Sequence, residues 1–96
     1  MSMPAWPKGK VRPARDVIFR ELGGEMVLLN LQNGVYYGLN ETGMQMWTLL
    51  AELKDPRRVV EALEQEYAAS RTQLAQDLHA LLANLREKGL IEVDEN

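Results

Sequence analysis

Few side chains in this 96-residue chain are of the types that do chemistry, and their spacing decides what they can do. His79 is the only histidine, and Asp77 stands two positions before it on a predicted helix, so the two fall on different faces. A general base needs a partner in reach and a metal site needs several ligands. His79 therefore reads as an ordinary surface or half-buried histidine. Glu61, Glu64 and Glu66 suggest paired carboxylates until they are projected on a helix, where they form a solvated face. Gly23-Gly24 follows an apolar run but opens no helix, so it reads as a hairpin turn and not as a phosphate loop. Met44, Met46 and Trp47 recur at helical spacing and read as core. There is no cysteine, which excludes disulfides, thiolate zinc sites and cysteine nucleophiles. No catalytic residue, metal or cofactor is expected, and an enzyme is not the reading.

The elements that must position any site are more legible. Residues 17–22 and 26–31 are apolar, strand-forming runs around Gly23-Gly24, and Asn33-Gly34 introduces a third run, residues 35–39. Asn33-Gly34 reads as a tight turn with positive φ at both centres, giving a three-stranded antiparallel meander. Asn40 or Thr42 then caps a helix with a broad apolar arc built from Met44, Met46, Trp47, Leu49, Leu50 and Leu53. Asp55-Pro56 starts a second helix carrying Val59, Val60, Leu63 and Tyr67. Ser70 starts a third, with Leu74, Leu78, Leu81, Leu82 and Leu85 inward and Gly89 as its stop. The last two helices are separated by about two or three residues, as in a helix-turn-helix, and residues 90–93 form a short closing strand.

This is an α+β domain of winged helix-turn-helix-like form, a three-stranded antiparallel sheet packed on three helices. Residues 1–15, with three prolines and four basic residues, read as a flexible N-terminal arm; residues 16–93 are the domain and 94–96 an acidic tail. The arm has no apolar stretch, so neither a secretory signal nor a membrane anchor is expected, and the chain reads as cytoplasmic. Net charge is −3, which does not favour a polyanion. A DNA-binding regulator is the alternative for this outline. Its third helix would present Gln73, Gln76, Asp77, Ala80, Asn84 and Glu87 to the groove, with Arg71, Arg86 and Lys88 only at its ends, a neutral to acidic face that neutralises phosphate poorly.

The strand at 35–39 has no later segment to pair with its outer side, and an unpaired edge is either protected or used. Alternation separates Val35, Tyr37 and Leu39 from Tyr36 and Gly38. Leu39 must cover the first helix, so its set faces the core and Tyr36 is the exposed aromatic. Truncating Tyr37 is then expected to cost roughly 3–5 kcal/mol.

Leu39-Asn40-Glu41-Thr42-Gly43, Met46-Trp47, Leu49-Leu50, the run Val59-Val60-Glu61-Ala62-Leu63 with Tyr67, and Leu81-Leu82 with Leu85 and Lys88-Gly89-Leu90-Ile91 occur in an order that resembles the PqqD family. The resemblance spans roughly residues 12–93. That family includes the pyrroloquinoline quinone biosynthesis protein D and the stand-alone leader-binding proteins of lasso-peptide pathways, and residues 33–43 with Trp47 lean toward the latter. The resemblance implies a recognition element for ribosomally made, post-translationally modified peptides. It would bind the leader of a precursor as a fourth strand and present it to a modifying enzyme, such as a radical S-adenosylmethionine protein or a leader peptidase. Carried onto this chain, the peptide-binding residues are Val35, Tyr36, Tyr37, Gly38 and Leu39 on the strand and Leu74, Asp77, Leu78 and Leu81 on the third helix. Gly38 would let a peptide backbone come close. No nucleic-acid or membrane partner is implied.

Overall fold

A computed structural model describes Trp6 and residues 9–94. Its elements run β1 (Lys10–Pro13), β2 (Val17–Leu22), β3 (Glu25–Asn30), β4 (Tyr36–Leu39), α1 (Glu41–Leu53), α2 (Pro56–Glu66), α3 (Arg71–Glu87) and β5 (Ile91–Asp94). β2, β3 and β4 form the expected antiparallel meander, and the three helices follow it, giving the winged helix-turn-helix-like α+β arrangement.

Local chemistry sets most of the boundaries. Gly23 and Gly24 both have positive φ, 58° and 86°, which turns β2 into β3 with a twist that suits the strands. Each helix begins on a side-chain cap. The amide of Gly43 donates to Asn40 Oδ1 at 2.9 Å, that of Arg57 to Asp55 Oδ1 at 3.0 Å, and that of Gln73 to Ser70 Oγ at 3.1 Å. Asn40, not Thr42, is therefore the cap of α1. Gly89, at φ 71°, ends α3 where a side chain would be strained.

Two expectations change. Asn33-Gly34 is not a two-residue turn with both centres positive, because Gly34 alone has positive φ. The loop is longer: Asn30 donates to the Val35 carbonyl at 3.0 Å and Gly34 donates back to the Asn30 carbonyl at 2.8 Å. Asn33 serves through its side chain, whose Oδ1 accepts from the Val35 amide at 2.9 Å. The second change concerns the N-terminal arm. Lys10–Pro13, placed in it, is a strand that pairs antiparallel with β5, Val11 opposite Val93. Val11 is completely buried, and its amide donates to the Lys54 carbonyl at 2.8 Å, tying the strand to the end of α1. Residues 1–5, 7 and 8 of the proposed arm and residues 95–96 of the proposed tail lie outside the described residues.

The core lies between the inner face of the sheet and the helices. Met26 and Leu28 on β3 and Leu39 on β4 meet Met46, Trp47 and Leu50 of α1, Val59, Val60 and Leu63 of α2, and Leu74, Leu78, Leu82 and Leu85 of α3. Asn30 is the buried polar residue among them. Its Nδ2 donates to the Gly89 carbonyl at 2.7 Å and its Oδ1 accepts from the Gln32 amide at 2.8 Å, joining the end of α3 to the β3–β4 loop. Truncation leaves both partners unsatisfied. Asn30→Ala is expected to lower stability by about 1–3 kcal/mol, read in a urea melt, and an unchanged midpoint would contradict that linking role.

Candidate functional site

The ladder of β4 fixes which of its backbone groups face outward. Asn30 and Val35 share a hydrogen bond, and the register pairs Leu29 with Tyr36, Leu28 with Tyr37, Val27 with Gly38 and Met26 with Leu39. Bonded and non-bonded pairs alternate in an antiparallel ladder, so Tyr37 and Leu39 bond to β3. The N–H and C=O groups of Tyr36 and Gly38 point away from it. Among the described residues nothing pairs with that side in the three-stranded order β2-β3-β4, leaving an open edge with two donors and two acceptors.

Beside this edge runs a groove of about 520 Å³. β4 supplies Tyr37, Gly38 and Leu39; the start of α1 supplies Asn40, Thr42, Gly43 and Met46; α3 supplies Asp77, Leu81 and Asn84. The Asn84 Nδ2 donates to the Tyr37 hydroxyl at 3.3 Å, and the Lys88 ammonium lies 6.0 Å from the centre of the same ring, so Tyr37 bridges strand and helix. Leu39, Met46 and Leu81 give the groove apolar surface.

Five of the residues singled out in the sequence, Tyr37, Gly38, Leu39, Asp77 and Leu81, meet in this groove. Val35 precedes β4 and bonds to β3 through Asn30. Tyr36 is 68% exposed on the opposite face of the sheet, as alternation requires, so its ring lies away from the groove while its backbone lies on the edge. Leu74 and Leu78 are core residues beneath the groove and do not line it. Asn84 was missed, although it continues the Asp77–Leu81 stripe by one helical turn. The α1 residues were missed because only the tertiary fold brings that helix start under the strand edge.

Tyr37 faces inward as expected, but it is only partly buried. The roughly 3–5 kcal/mol of full burial is therefore too large. Tyr37→Ala is expected to cost about 1–3 kcal/mol and Tyr36→Ala no more than about 0.5 kcal/mol, both read in urea melts. Equal losses for the two would contradict the facing.

The remaining chemistry-bearing side chains lie elsewhere. His79 sits over the cleft between α3 and the β1–β5 pair, stacked on Trp6 with ring centres 5.1 Å apart. Glu61 and Glu64 each lie 3.6 Å from Arg71, forming exposed ion pairs between α2 and α3. Among the described residues nothing covers the outer face of the sheet, which is largely apolar, with Arg20 and Glu25 on it as well. Ile18, Leu29 and Tyr36 stand in register across its three strands, flanked by Val27 and Leu22.

Fold and site together define a small winged helix-turn-helix-like module whose function-bearing feature is an open strand edge beside a helix-walled groove. The family model of coenzyme PQQ synthesis protein D (PqqD) matches residues 25–91, and the chain belongs to that family. Two solved structures are similar to it. "TbiB1 in complex with the TbiA(beta) leader peptide" is 35% identical, with a TM-score of 0.81, over 88% of this chain and 99% of that one. "Lasso peptide synthetase B1 complexed with the leader peptide" is 29% identical, with a TM-score of 0.78, over 86% and 98%. A search of curated proteins gave no match. Among the described residues, no helix is long and apolar enough to cross a membrane.

Proposed function

We propose that this protein binds the leader segment of a ribosomally made precursor peptide by strand addition at β4 and holds it for a modifying enzyme, without catalysing a step itself. The observation that carries this reading is the open edge at Tyr36 and Gly38 next to a groove of peptide-side-chain size. Main-chain bonds supply sequence-tolerant affinity there, and alternate side chains of the added strand enter the groove and supply selectivity. Family membership and the leader-bound state of both similar structures support it. The enzyme that receives the peptide, such as a leader peptidase or a radical S-adenosylmethionine protein, would gain by covering exposed Ile18 and Tyr36 and the half-buried Leu29 between them, since an apolar sheet face is stabilised by burial.

The DNA-binding alternative finds less support. Gln73, Gln76, Asp77, Ala80, Asn84 and Glu87 are all exposed on α3, and none is cationic. The test is a polarisation titration with two ligands: the leader of the precursor gene adjoining this one, and random double-stranded DNA. A leader segment of about 10–20 residues is expected to bind with a Kd between micromolar and nanomolar, about −8 to −12 kcal/mol. DNA is expected to bind no tighter than micromolar at physiological salt. Nanomolar, sequence-selective DNA binding without leader binding would reverse the assignment.

A further inference from the structure

Of the ten described residues that line the β4–α3 groove, Asp77 is the only charged one. Its Oδ1 accepts a hydrogen bond from Gln73 Nε2, one turn earlier, at 2.9 Å, which fixes the orientation of the carboxylate. Among the described residues, its Oδ2 has no hydrogen-bond or ion-pair partner. The cations of α3 that could neutralise it are engaged or distant. Arg71 is held by Glu61 and Glu64, Arg86 lines the separate cleft beside the β1–β5 pair, and Lys88, the residue that caps α3, has its backbone about 16 Å farther along the helix axis and its ammonium over Tyr37. The groove thus pairs apolar surface from Leu39, Met46 and Leu81 with a single oriented, uncompensated negative charge.

An added strand directs every second side chain into such a groove and displaces water from its walls. A carboxylate left with part of its hydration removed is stabilised by a cation and opposed by a second carboxylate. We infer that Asp77 is a specificity-determining residue, selecting peptides with lysine or arginine at the one strand position that enters the groove beside it. The inference rests on the strand-addition reading above and adds to it a chemical class of ligand: an extended segment with apolar residues alternating into the groove and one basic residue among them.

The test is selection of a displayed library of random 12-residue peptides on the full-length protein and on Asp77→Asn and Asp77→Lys. Asn keeps the acceptor for Gln73, and the site is exposed on α3, so the fold is retained. On the unaltered protein, lysine and arginine are expected to be enriched about two- to five-fold at a single register position, the scale of an exposed ion pair. The enrichment should vanish with Asp77→Asn and turn to aspartate and glutamate with Asp77→Lys. Peptides selected without a positional basic preference, or with one that both variants preserve, overturn the inference while leaving strand addition standing. Failure to select any peptide, or selection of peptides whose binding survives Gly38→Pro, overturns strand addition and the inference with it.

Discussion

Gly38→Pro is expected to weaken binding of the adjoining-gene leader peptide by about a hundred-fold, roughly 2.7 kcal/mol, with little change in the stability of the free protein. The asymmetry follows from the ladder. Gly38 stands in a non-bonded pair with Val27, so its N–H points to the open edge and β3 does not use it. Proline is tolerated on edge strands in that position, because the donor it removes faced water. An incoming strand, however, loses one main-chain bond and meets the pyrrolidine ring where its own backbone must lie. Gly38→Ala is the control. A Cβ built there has no neighbour within 4 Å in the free protein, so the substitution should melt like the unaltered protein and, because it keeps the N–H, weaken binding far less than proline does. Gly38→Pro binding at unaltered affinity would exclude β4 as the docking edge and direct attention to β2, the other edge of the same sheet.

The second large effect separates core from groove along a single helix. Leu78 is fully buried, whereas Leu81, three positions on, is partly exposed and lines the groove. Leu78→Ala removes a side chain packed on all sides and leaves a cavity, at an expected cost of about 2–5 kcal/mol. That is a large part of the stability of about 5–15 kcal/mol that a small domain possesses. Leu81→Ala should cost less than about 1.5 kcal/mol in a urea melt, yet weaken peptide binding by about ten-fold. Should the two exchange places, with Leu81→Ala unfolding the protein and Leu78→Ala impairing binding alone, the helix would be rotated from the orientation described.

That distinction was beyond sequence reasoning. Leu74, Leu78, Leu81 and Leu85 form one continuous apolar stripe at helical spacing, and periodicity assigns them all inward. Which of them meets the core and which meets the groove depends on how α3 crosses the sheet, a tertiary quantity. The helix starts at Asp55 and Ser70 were legible, and that of α1 to within Asn40 or Thr42, because capping is settled by a side chain and an amide two or three residues away. The facing of β4 was legible for a similar reason, since strand alternation has a fixed period of two.

β1 was not legible. Lys10, Val11, Arg12 and Pro13 mix charge and proline as a solvated arm does, and only pairing with β5, some eighty residues away, makes them a strand. Arg12 joins Glu92 there at 3.1 Å, an exposed pair that favours the register more than it adds stability. The groove was half legible. The unpaired strand edge followed from the order of the elements and its facing from alternation, Asp77 and Leu81 were implied by the family resemblance, and the α1 residues at its base came together only through the fold.

Amide hydrogen exchange, residue by residue, with and without the leader peptide, addresses strand addition at β4 most directly. In the free protein the Tyr36 and Gly38 amides face water at the edge, while those of Tyr37 and Leu39 are bonded to β3. Saturation with peptide is expected to slow exchange at Tyr36 and Gly38 by at least about ten-fold and to change Tyr37 and Leu39 far less. New protection on β2 or at the cleft beside His79, with Tyr36 and Gly38 exchanging as fast as in the free protein, would contradict it.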